Sequence, residues 1–246
     1  MATWFRFLSA HHWFNAGVID VSSSLDSFAT VGLILLKMEV EKNELNIAAP
    51  ALSAVDRRTS IVKILTANDV TVWGADAFIS VALALFVVSY IEGATVLNVG
   101  IALMIHRIVG AVASVPIGRW FDKHKGFIDE VYGLSFACMS AGFVYILLSF
   151  STQIWQLYLA MFFLGIIAVM NFASWRILFY SNIEKGQLGQ AVGVYQMLYS
   201  FGIGLFLAVG GFAAERFGYQ WVLMMGGVVM VFGSLLPLML RGYLKK

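Results

Sequence analysis

Val81-Ala82-Leu83-Ala84-Leu85-Phe86-Val87-Val88 is an unbroken apolar run. Its residues do not alternate between apolar and polar, so it does not read as a strand with one wet face. Extended outward to 70–91, the segment stays apolar apart from one charge, Asp76. A helix needs about 20 residues to cross the hydrocarbon of a bilayer. No water is available there, so a spanning segment must satisfy its own backbone hydrogen bonds, as a helix does. A membrane barrel would need alternating segments of about ten residues.

Five further segments repeat the pattern, at 96–117, 131–150, 154–175, 190–213 and 219–240, with short connections between them. The expected fold is an all-α membrane protein, a bundle of six transmembrane helices. Composition points the same way. Of 246 residues, 60% are hydrophobic and 12% charged, the latter about half the share of an ordinary soluble domain. A soluble core of this size could not hide that much apolar surface. The net charge of +2 is too small to draw nucleic acid.

Orientation follows from the basic residues in the loops. Arg57, Arg58 and Lys63 precede the first span, and Arg119, Lys123 and Lys125 follow the second. Arg176 and Lys185 follow the fourth, and Arg241, Lys245 and Lys246 follow the sixth. These all fall on one side, and the other side has only Arg216. A multi-pass protein of the cell membrane (plasma or inner) is expected, with both ends of its helical region cytoplasmic. Trp73, Trp120, Trp155, Trp175 and Trp221 fall near span ends, as aromatic belts would place them.

Residues 1–68 differ in composition. They carry Asp20, Asp26, Lys37, Glu39, Glu41, Lys42 and Glu44 as well as the basic residues before the first span. The segment is expected not to span, with a short amphipathic helix around 28–44 on the membrane surface and a polar linker up to Asn68. Its start lacks the apolar run and cleavage site of a signal peptide. The domain division expected is therefore 1–68 and 69–246.

Between the second and third spans stands Gly118-Arg119-Trp120-Phe121-Asp122-Lys123-His124-Lys125-Gly126. Gly118 would let a helix end approach a neighbour, and Asp122 could cap a helix start or pair with an arginine. This stretch resembles the loop G-x-x-x-D-[RK]-x-G-[RK]-[RK] of the major facilitator superfamily (MFS). Gly118, Asp122 and Lys123 match in spacing, and the second glycine comes one residue late, as Gly126. A second likeness runs from Gly193-Val194-Tyr195-Gln196 through Gly210-Gly211 to Gly218-Tyr219-Gln220-Trp221, like the family's fifth or eleventh helix and the turn after it. Phe206 and Leu207 stand where the antiporter branch has Gly-Pro.

The resemblance implies half of an MFS-type fold, a 3+3 inverted repeat. The preceding polar segment resembles the linker between halves, which favours the C-terminal half. It also implies a secondary transporter of a small solute or ion by alternating access, with proton coupling as the candidate energy source. Gly118, Asp122, Lys123 and Gly126 would form a gating loop. The alternative is an incomplete half that acts as a non-transporting membrane scaffold or as a partner-dependent subunit. The partner would be a second six-helix half or a second copy in a homodimer.

Polar groups inside the spans are the candidates for chemistry, because a charge at a helix centre costs at least about 2.5 kcal/mol. Asp76 lies about two turns into the first span. It is either shallow enough to reach water or a cavity carboxylate that binds a cation or proton or pairs with Arg107. His106 and Arg107 lie mid-span in the second helix, and Asn171 near the end of the fourth. Tyr195 and Gln196 open the fifth. These six are the cavity candidates. The histidines show no metal spacing, no phosphate-binding G-x-x-x-x-G-K-[ST] loop is present, and no cofactor is expected. Cys138 reads as a small buried hydrophobe. Asp76 with His106 is the one pair that could suggest an intramembrane enzyme, and the expectation is against one. Small residues recur at Gly110, Ser114 and Gly118, at Gly202, Gly204, Gly210 and Gly211, and at Gly226, Gly227 and Gly233, which predicts close helix packing or a gating surface.

Overall fold

The structure is a computed structural model that describes residues 52–123, 127–183 and 186–244. The helical bundle is the compact unit Ala54–Lys246. The surface helix expected around 28–44 lies outside the described residues.

Eight helices are present among the described residues: α1 (Leu52–Tyr90), α2 (Val96–Lys123), α3 (Ile128–Leu148), α4 (Ile154–Ser181), α5 (Leu188–Phe217), α6 (Tyr219–Gly233), α7 (Leu235–Leu238) and α8 (Arg241–Leu244). Six stretches among them are long and apolar enough to cross a membrane: Arg58–Tyr90, α2, α3, α4, α5 and Tyr219–Tyr243. The expected six-helix bundle is therefore present, with some ends displaced. α1 starts at Leu52, well before Val70, because polar residues such as Arg58 and Lys63 are compatible with helix once they lie beyond the hydrocarbon. Asp76 thus falls near the middle of Arg58–Tyr90 and not two turns from an end. α2 continues to Lys123, so Gly118, Asp122 and Lys123 belong to its last turns. The last span is broken after Gly233. Pro237 has no amide hydrogen, and its ring would clash with the carbonyl four residues back in a continuous helix.

The distribution of side chains suits lipid. Leu97, Val112, Leu147, Phe201 and Phe232 are exposed, whereas Asn68, Asp69, Asn171 and Ser174 are buried. Large apolar groups gain nothing by hiding from a hydrocarbon solvent, and polar groups must find partners within the bundle.

α1 is the hub. It touches α3 through Tyr145 and α4 through Trp175, whose Nε1 donates to the Leu65 carbonyl at 3.1 Å. It meets α5 at Gly210, where an added Cβ would lie 2.7 Å from the Phe78 carbonyl oxygen. α3 packs against α4 and α6, and α2 lies along α4. α2 and α5 are the least covered spans, 17% and 22% buried against 39–56% for the other four. The α1–α2 and α3–α4 connections are tied where the Glu92 amide donates to the Thr152 carbonyl at 2.9 Å. Trp175, expected in an interfacial belt, is instead buried and stacked on Phe179 at 4.4 Å, because its indole finds a partner inside the bundle.

Candidate functional site

A cleft of about 580 Å³ opens between α1, α2, α3 and α4. Asp76, His106, Arg107 and Asn171 all line it, so four of the six cavity candidates come together from three helices. The helix periods explain the convergence. Val72, Trp73, Asp76, Ser80 and Leu83 recur at three and four residues on α1, and Leu103, His106, Arg107, Gly110 and Ser114 do so on α2.

Close packing brings α2 and α4 together beside the cleft. A Cβ on Gly165 would lie 2.6 Å from the His106 carbonyl oxygen, so only glycine lets α4 come this near. The α2 backbone at His106 is thereby held against α4. His106 is half-buried, and Arg107 is exposed on the face of α2 that this chain leaves uncovered.

Asp76 takes its partner from α3. The Tyr145 hydroxyl donates to Asp76 Oδ1 at 2.7 Å, and Tyr145 is itself buried. Pairing with Arg107 is one expectation for Asp76; the hydrogen bond the structure makes is with Tyr145, which α3 carries against α1 at this level. Sequence reasoning misses Tyr145. The available signal is a lone tyrosine within the apolar run 141–148, the kind of donor a membrane carboxylate needs.

Beside the cleft lies a second polar layer. Asn171 Nδ2 donates to Cys138 Sγ at 3.2 Å, and the thiol faces Asn68 Oδ1 at 3.8 Å. Cys138 is fully buried, as expected, but sits between two amides instead of among hydrocarbon alone. Asn171 is 4% exposed, and its Oδ1 has no protein partner.

Tyr195 and Gln196 do not line this cleft. The Tyr195 hydroxyl donates to Asp69 Oδ2, and its ring packs on Trp175 at 4.8 Å and Phe179 at 5.2 Å. Gln196 is exposed and its Nε2 donates to Ser200 Oγ at 3.0 Å. The pair Asp69–Tyr195 joins α1 to α5. Asp69 is hard to single out because it sits at the edge of the apolar segment, yet seven residues before Asp76 puts it on nearly the same helix face. Tyr195→Phe leaves that buried carboxyl short of a donor. It is expected to cost about 1–3 kcal/mol, read as a lower thermal unfolding midpoint in detergent. An unchanged midpoint contradicts the tie.

Of the expected gating loop, Gly118, Asp122 and Lys123 lie on the last turns of α2. Nothing lies within 4 Å of where a Gly118 Cβ would sit, so the described residues show no close approach there. Asp122 and Lys123 are exposed, and among the described residues no side chain caps the start of α3. Gly126 lies outside the described residues. Phe121, from the same stretch, is buried against Gly133 of α3.

Among the described residues no group of three or more His, Cys, Asp or Glu could hold a metal ion. The cleft offers one carboxylate, one guanidinium, one imidazole and one amide on largely apolar walls, a set suited to holding a solute. No curated protein and no solved structure matches the chain. Residues 69–245 match the family described as Major Facilitator Superfamily. With that match over most of its length and six membrane-capable helices, the chain is a multi-pass membrane protein that belongs to the Major Facilitator Superfamily, a family of transporters, and carries one six-helix half of its fold.

Proposed function

We propose that this chain is half of a secondary transporter that moves a small solute by alternating access, with Asp76 as the cation- or proton-coupling group. The observation that carries the reading is the cleft, in which a carboxylate near the middle of α1 faces basic groups of α2 across apolar walls. A carboxylate within a spanning helix is costly, which favours a working role over a structural one. Alternating access needs a second bundle to rock against. The weakly covered faces of α2 and α5 suit a second six-helix half, from another chain or a second copy, and the partner-dependent subunit is favoured over the scaffold on this ground. The loop charges favour a cell-membrane protein with cytoplasmic ends.

The test is solute flux in liposomes that hold the purified chain together with a second half. Flux that responds to a proton gradient or membrane potential is expected. No flux across a broad solute panel contradicts the reading. A separate outcome bears on the partner: the chain alone is expected to carry far less flux than the pair, and equal flux would remove the need for a partner.

A further inference from the structure

The cleft has a charge pattern that selects among solutes. Asp76 and Arg107 line the same cavity with opposite charge, but Asp76 is held on the α1–α3 side by Tyr145. The two formal charges are thus presented from different walls and sum to zero. A ligand with a net charge would neutralise one wall and leave the other uncompensated. Asp76 is partly covered, where an unpaired charge is expensive, and Arg107, though exposed to the open side of the cleft, stands on apolar walls that, among the described residues, offer it no other anion. A ligand with both charges satisfies both walls at once. Tyr145 occupies Oδ1 of Asp76, which leaves Oδ2 to accept from a cationic donor. Asn171 also lines the cleft, and its Oδ1 has no protein partner. The remaining walls are apolar, including Leu83, Leu103, Leu164 and Phe172. About 580 Å³ falls within the range of small-molecule sites.

We propose that the cleft takes a small amphipathic zwitterion, its cationic end against Asp76, its anionic end against Arg107 and its apolar body along the leucines and Phe172. This rests on the transporter reading for the claim of movement, but binding is measured without flux.

The experiment is calorimetric binding to the purified full chain in detergent. The probes are L-phenylalanine, its methyl ester and its N-acetyl derivative, that is a zwitterion, a cation and an anion on one apolar body. The zwitterion is expected to bind about tenfold or more tightly than either monoion, which corresponds to about 1.4 kcal/mol of charge pairing lost by each monoion. Arg107→Gln is expected to remove its advantage over the methyl ester, and Asp76→Asn its advantage over the N-acetyl derivative. A purely structural role for either residue would weaken all three probes alike. The proposal is overturned if either monoion binds as tightly as the zwitterion, if the zwitterion does not bind at millimolar concentration, or if its preference survives both substitutions. The wild-type ranking decides the matter alone if a variant fails to fold. Loss of the ranking with flux intact strikes this inference, whereas an intact ranking without flux strikes the transporter reading.

Discussion

Asp76→Asn is expected to lower gradient-driven flux by about thirtyfold or more while leaving the protein inserted and folded. Removing one buried charge from a site built around it costs about 2 kcal/mol or more, and each 1.4 kcal/mol is about tenfold. The substitution is clean because asparagine keeps an oxygen for the Tyr145 hydroxyl, which donates to Asp76 Oδ1 at 2.7 Å. The packing of α1 on α3 is thereby preserved and only the charge is lost. Asp76→Leu would confuse the result, since it leaves a buried tyrosine hydroxyl with no acceptor and destabilises the bundle as well. Arg107→Gln, on the opposite wall, is expected to impair flux in the same sense. The measurement is initial uptake into liposomes, normalised to inserted protein. Ordinary flux in both single variants would defeat the assignment of the cleft.

The second large effect concerns the α3–α6 crossing. A Cβ on Gly142 would sit 2.5 Å from the Gly227 carbonyl oxygen and 2.9 Å from the Val231 amide nitrogen. A Cβ on Gly227 would in turn sit 2.7 Å from the Gly142 carbonyl oxygen. These are backbone atoms, with no flexible side chain to yield. Two glycines facing each other let the helix backbones approach closely, and that approach is what membrane packing rewards. Gly142→Ala is expected to cost about 1–3 kcal/mol through overpacking, several degrees in unfolding midpoint for a chain of this size. Gly142→Leu is expected to prevent a stable fold. Gly204→Ala is the control, because nothing lies within 4 Å of its Cβ position and alanine favours helix. An unchanged midpoint for Gly142→Ala, with a loss at Gly204→Ala, would contradict this packing.

Much of this fold is legible in the sequence because a bilayer imposes a length and a backbone rule together. A run such as 81–88 admits few structures once lipid is the solvent. Helix ends are less legible. The polar residues before Val70 read as linker, but helix hydrogen bonding does not stop where hydrophobicity does, and α1 continues through them. The same cause hides Asp69, which lies inside a buried helix and not at its rim. In the site, Asp76, His106, Arg107 and Asn171 stand out because each is costly in an apolar helix. That four such residues share one cleft depends on helix rotation and on the contact at Gly165, which no spacing within one helix encodes. Tyr145 is hard to pick out because a tyrosine in a membrane helix is common and only its neighbour gives it meaning. Tyr195 is legible as a polar group of consequence, but its partner is Asp69 and not a solute cleft. Trp175 shows the limit of the belt rule, since an indole near a span end can equally turn inward to a backbone carbonyl.

If the chain works by alternating access, the cleft around Asp76 opens in turn to the two sides of the membrane. Ala111 lines that cleft from α2 and is exposed, while Cys138, the one native cysteine, is buried. Ala111→Cys can therefore be labelled with a membrane-impermeant thiol reagent in right-side-out and inverted vesicles, with the unsubstituted chain as background. Labelling is expected from both sides, with a balance between them that shifts with the imposed gradient and with protection by a bound solute. Labelling from one side only, unchanged by gradient and solute, would contradict alternating access.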